Sequence, residues 1–102
     1  MSKVRNMQGN SGPVANQFVI EEEGRGANGN FTRRLTFQSY DSVIAVRTRW
    51  PDGCVDTVLD ADKWDYSMTT GRYRNQFLRE KKADTERKIK SGEYKLDNLN
   101  RG

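Results

Sequence analysis

The chain has 102 residues, 18 Lys and Arg against 14 Asp and Glu, one cysteine and no histidine. That length allows one domain, and the single Cys54 excludes an intramolecular disulfide. Without histidine, the side chain that most readily serves as general base or metal ligand near neutral pH is missing, so catalysis is not expected.

With 33% hydrophobic residues the core must be small, and Phe18, Ile20, Phe31, Leu35, Phe37, Val43, Ile44, Val46, Trp50 and Trp64 are its candidates. A domain of this size buries only about 60–68% of its unfolded surface, so a homodimer is a second way of gaining buried area. The net charge of +4 is uneven: residues 1–16 contribute +2, residues 17–60 contribute −2 and residues 61–102 contribute +4. Such a balance suits contact with nucleic acid or with an acidic protein surface, and selects neither.

Residues 1–16 are rich in Gly, Asn, Ser and Gln, and are expected to form a disordered leader ahead of a single α+β domain over 17–100. They show no signal-peptide pattern, and no long apolar run follows, so a soluble cytoplasmic protein without membrane contact is expected. Gln17–Glu23 reads as a first strand. Gly24-Arg25-Gly26-Ala27-Asn28-Gly29-Asn30 reads as a hairpin loop, because neither a Gly-Lys-Ser/Thr run nor a helix follows its glycines.

Phe31–Ser39 and Ser42–Trp50 alternate and register across a Tyr40-Asp41 turn, with Phe37 facing Ile44 and Leu35 facing Val46. That register sets Arg34 opposite Arg47 on an exposed face, a like-charge pair expected to splay into water, with an external anion taken between its members as the alternative. Trp50-Pro51-Asp52-Gly53 is a strong turn, since proline presets φ and Asp-Gly closes the chain. A strand over Cys54–Leu59 follows, with Asp56 expected opposite Arg49. Cys54 has no histidine to activate it. Asp60, Asp62 and Asp65 could in principle gather a metal, but short carboxylates in this setting serve turns and helix starts, so no metal or cofactor is expected.

Thr70 is the expected N-cap of a helix running to about Glu80, with Tyr73, Phe77 and Leu78 on one side and Arg72, Asn75 and Arg79 on the other. Arg74 falls inside the apolar sector and needs a partner, either an internal acid such as Asp62 or Asp65 or a group on another molecule. A shorter basic helix capped by Asp84 should end at Gly92, with Tyr94, Leu96 and Leu99 anchoring the return. The expected architecture is therefore α+β: an antiparallel β-meander of three to four strands, one amphipathic helix packed on it and a short basic C-terminal helix.

Two binding readings follow. The first is a protein-binding surface of Arg72, Arg74, Tyr73, Tyr66 and Arg79, the residue types that dominate interface energies. The alternative is nucleic-acid backbone contact through Arg34, Arg47, Lys81, Lys82, Arg87 and Lys88. Against it, the exposed sheet face offers no aromatic platform for bases.

Leu35–Ala45, Trp64-Asp65-Tyr66-Ser67, Thr69-Thr70, Tyr73–Leu78 and Lys90-Ser91-Gly92-Glu93-Tyr94-Lys95-Leu96 together resemble a family of small phage and prophage proteins without an assigned function. The resemblance spans roughly residues 31–100. It implies a host bacterial cytoplasm as the setting, and a host protein or defence complex as the partner to be modulated or inhibited.

Overall fold

A computed structural model describes residues 2–24 and 31–100. Most of the glycine-rich loop, residues 25–30, therefore lies outside the described residues. The elements in chain order are β1 (Ser2–Gly9), β2 (Gly12–Glu23), β3 (Arg33–Ser39), β4 (Ser42–Arg49), β5 (Val55–Asp60), α1 (Met68–Leu78), α2 (Lys82–Ser91) and β6 (Tyr94–Asp97). They build one six-stranded sheet in the order β1-β2-β3-β4-β5-β6. The first five strands are antiparallel neighbours and β6 lies parallel to β5. The chain is α+β, but the expected meander of three to four strands is corrected to a six-stranded mixed sheet. The parallel β5–β6 pair requires a long crossover, which α1 and α2 supply.

One of the additional strands, β1, comes from the segment read as a leader, which also supplies the first part of β2. Gly9-Asn10-Ser11-Gly12 closes a tight turn, and residues 2–6 pair with residues 18–22. Gly12 takes a φ of 105° that a side chain would resist. Main-chain pairing, with Met7 buried in the core, orders a stretch whose composition alone suggests disorder.

The helices cover one face of the sheet. Phe37 on β3 stacks on Phe77 of α1 at 5.7 Å between ring centroids, and the Ser39 and Thr70 hydroxyls share a hydrogen bond of 2.9 Å. Alternation then assigns odd-numbered β3 residues to the helix side. Met7, Val19, Phe37, Ile44, Ala45, Leu59, Tyr73, Leu78 and Tyr94 form the core. Full burial of Phe37, Ile44 and Leu59 stabilises the fold by roughly 1.5–3 kcal/mol each.

A β-bulge changes the register expected between β3 and β4. Ser39 pairs with Ser42 and Gln38 with Val43 as the turn dictates, but Phe37 then pairs with Ala45. Ile44 is the extra residue, and it is buried beside Ala45. Beyond the bulge every β4 side chain lies on the face opposite to the one that simple alternation gives it. Leu35 thus pairs with Arg47, Arg34 with Thr48 and Arg33 with Arg49. The expected Arg34–Arg47 pair does not exist, because the two side chains occupy opposite faces.

The next hairpin differs by one residue as well. Trp50 N–H donates to the Cys54 carbonyl, leaving a three-residue loop in which Gly53 takes a φ of 90°. Val55 therefore faces Arg49, and Asp56 faces Thr48 rather than Arg49. Asp56 instead accepts a hydrogen bond from the Trp50 indole at 2.7 Å.

Helix α1 starts one turn earlier than expected. The N-cap is Ser67, whose hydroxyl accepts from Thr70 N–H, while Thr70 itself lies inside the helix and is fully buried. Helix α2 ends at Gly92 in the left-handed conformation, as anticipated.

Candidate functional site

Helix α1 ends over the middle of the sheet, leaving part of its helix-side face open. There a cleft of 510 Å³ is bounded by Arg5 and Met7 of β1, Leu35 of β3, Arg47 of β4, Phe77 of α1 and Arg79 just beyond it. A smaller hollow of 70 Å³ adjoins it, sharing Leu35 and Arg47 and adding Arg33, Arg49 and Val55. The bulge brings Arg47 and Arg49 to this face, so the site depends on the register shift at Ile44. Arg33 and Arg49 stand directly opposite each other on adjacent strands, an arrangement that repels without an anion between them.

The acids here are fewer than the arginines. Glu21 accepts from Arg5 and from Arg33, each at 3.1 Å. The Arg33 hydrogen bond is the main reason its carboxyl is held below the ordinary carboxylate value, with Arg5 adding to it. Among the described residues, Arg47, Arg49 and Arg79 form no ion pair.

Arg47 is fixed in place by neutral partners. Its Nε donates to Thr57 Oγ1 at 3.1 Å and a terminal nitrogen donates to the Tyr94 hydroxyl at 3.0 Å. Tyr94 donates in turn to Glu80, which also accepts from Thr85 and Lys88. Burial disfavours the Glu80 carboxylate, but the bonds from Lys88, Thr85 and Tyr94 outweigh it, and its pKa lies below the ordinary 4.5. A lowered carboxyl pKa means that the unfolded chain takes up protons first. The stabilisation is present above the unfolded value and is lost as pH falls through the folded one. Urea melts from pH 6 down to pH 3 should show stability declining, and Glu80→Gln should flatten part of that decline. An unchanged slope in the variant would remove Glu80 from the account.

Arg79 adopts a left-handed backbone, φ 58° and ψ 44°, at the C-cap of α1. A glycine there would avoid a cost of about 1 kcal/mol, so a long cation is retained at the cleft mouth despite the strain.

The residues expected to form a protein-binding surface are not gathered in one place. Arg79 lines the cleft. Arg72 and the half-exposed Tyr66 instead border a shallow depression of 560 Å³ at the other end of α1, beside Met68. Tyr73 is a core residue. Arg74 is 1% exposed and its two terminal nitrogens are bonded internally, to the Trp64 carbonyl at 2.7 Å, to Asp65 at 3.1 Å and to Asn75 Oδ1 at 2.9 Å, while its buried Nε has no partner among the described residues. Tyr73 and Arg74 are therefore corrected from interface residues to structural ones.

The basic set proposed for nucleic acid is also divided. Arg34 faces away from the helices, with its guanidinium 4.1 Å from the Phe31 ring centre and its Nε donating to Thr48. On the second helix, Lys82 pairs with Asp65, Arg87 with Asp84 and Lys88 with Glu80. Lys81 is exposed at the N-cap of α2. Asp60, considered as a metal ligand, instead accepts from the backbone N–H groups of Asp62, Lys63 and Leu99. Among the described residues, no three His, Cys, Asp or Glu side chains are placed to hold a metal ion. Nor is any described helix long and apolar enough to cross a membrane.

Arg5, Arg33 and Arg49 were not anticipated as site residues. Arg5 sat in the segment read as disordered, and the other two meet only through the bulge. Chemically the cleft combines planar, permanently charged donors with a Leu35, Phe77 and Val55 floor, which suits carboxylates carried on a partly apolar ligand.

No curated protein and no solved structure matches this chain. A family profile does match it, over residues 2–93, and the chain therefore belongs to the family of unknown function DUF8033.

Proposed function

We propose that this protein acts by binding, and that an acidic segment of a partner protein occupies the arginine-lined cleft. The observation that carries this reading is the convergence of Arg5, Arg33, Arg47, Arg49 and Arg79 around an apolar floor, with Arg47, Arg49 and Arg79 outside any ion pair among the described residues. Arginine over buried apolar surface is the chemistry of interface hot spots. The same observation supports binding rather than catalysis, since guanidiniums do not exchange protons near neutral pH. Contact with a nucleic-acid backbone is less well supported, because Lys82, Arg87 and Lys88 already hold acids of this chain. From the resemblance to small phage proteins we take the partner to be a host protein or defence complex in a bacterial cytoplasm.

A photo-crosslinking amino acid at Gln8, an exposed cleft residue, tests this in nuclease-treated bacterial lysate. The crosslinked peptides should be rich in Asp and Glu, and Arg49→Glu should suppress them. Capture of nucleic acid alone, or crosslinking indifferent to Arg49, would overturn the reading.

A further inference from the structure

Strand β1 lies at the edge of the sheet. It pairs with β2 on one side, and among the described residues nothing pairs with the other. Its regular part, Ser2–Asn6, precedes the irregularity at Met7 and leaves a row of main-chain donors and acceptors open to solvent. The strand carries Lys3 and Arg5 and no acid. Both are exposed, and alternation puts both on the helix side, where Arg5 joins the wall of the cleft.

These charges determine what the edge can accept. A second copy pairing through its own β1 would bring Lys3 and Arg5 of both chains together, and like charges across a strand pair are unfavourable. An acidic strand reverses the sign of that interaction. Every second side chain of an added strand points to the same face, at a spacing of about 6.8 Å. A segment with acids at alternate positions would set them beside Lys3 and Arg5 and toward Arg79, while its main chain completes the ladder.

We propose that the open edge of β1 receives an extended acidic segment of a partner protein as an additional strand, its alternate carboxylates facing Lys3, Arg5 and the cleft. This rests on the reading of the cleft as a protein-binding site and specifies the shape of the ligand. The partner is thereby defined by two properties: an extended conformation, and acids at every second position.

The test uses the full-length chain and a synthetic peptide of alternating glutamate and threonine. Two companion peptides carry N-methyl groups, on the glutamates in one and on the threonines in the other, so that each loses the main-chain donors of one edge. Binding is followed by fluorescence anisotropy, and amide hydrogen exchange is followed at residues 2–6. The parent peptide should bind and slow exchange along that stretch, and one N-methylated form should bind at least about tenfold more weakly than the other. If both methylated peptides bind like the parent and no edge amide is protected, while Arg79→Glu still weakens binding, the added strand is wrong and the cleft reading stands. If none of the peptides binds at low ionic strength, both fail.

Discussion

Replacing Arg74 with alanine should lower the stability of this domain by about 3 kcal/mol, the largest loss expected from any single substitution outside the apolar core. The guanidinium is almost wholly buried and ties α1 to the segment before it through three acceptors: the Trp64 carbonyl and the Asp65 carboxylate ahead of the helix, and the side chain of the neighbouring Asn75. Its carbon also lies 5.2 Å from the Trp64 ring centre. Alanine would leave the Trp64 carbonyl without its donor and open a void beneath α1. For a domain of about 100 residues each kcal/mol moves the melting temperature by about 4–8 °C, so a fall of roughly 12–24 °C is expected.

Lysine should not restore the loss, because one ammonium cannot reach three acceptors arranged for a planar fork. Lys82→Ala provides the contrast. Lys82 binds the same carboxylate at 2.7 Å, but its side chain is 50% exposed, and a solvated pair of that kind is worth about 0.2–1 kcal/mol. Differential scanning calorimetry of the three variants distinguishes the cases, and a loss for Arg74→Ala no larger than that for Lys82→Ala would refute a structural role for Arg74.

The internal pairing of Arg74 was partly legible in the sequence. A cation at a helical angle between Phe77 and Leu78 must find a partner, and Asp65 was one of the acids within reach. The turn at Pro51–Gly53 and the Gly92 terminator were legible for the same reason, since each depends on one residue's backbone preference. The bulge was not. Val43-Ile44-Ala45-Val46 is an unbroken apolar run, so pairing Phe37 with Ile44 or with Ala45 matches apolar to apolar, and alternation cannot distinguish them. That single ambiguity determines which face carries Arg47 and Arg49, and with them the β4 side of the cleft and of its adjoining hollow. Strand β1 was hidden differently: its place in the sheet depends on main-chain bonds to β2, and among its described side chains only Met7 is buried. The local pattern Gly9-Asn10-Ser11-Gly12 is a hairpin cue, but the polar composition around it favoured disorder.

Arg79→Gly should make the protein more stable and bind its partner less well. At φ 58° an arginine carries the steric cost of the left-handed region, and glycine removes it, for a gain of about 1 kcal/mol. The same change deletes a cation that lines the cleft mouth and forms no ion pair among the described residues. A loss of about tenfold in affinity is the expected scale for one charge at such a rim-to-core position. Arg79→Glu should cost more, about a hundredfold, because it places repulsion where the ligand's acids arrive. Its backbone strain is unchanged, so its melting temperature should stay near that of the parent. The three chains thus separate stability from binding: glycine raises one and lowers the other, and glutamate lowers binding alone. Affinity for the crosslinked partner segment and thermal melts, measured on the same preparations, test the pair of effects. If Arg79→Gly gained stability with full affinity retained, the strained backbone at Arg79 would have no binding role and the cleft would lose its α1 wall. If affinity fell only in proportion to lost folding, Arg79 would be a capping residue and nothing more. The opposite signs follow from one structural fact, a long side chain held where the backbone favours none.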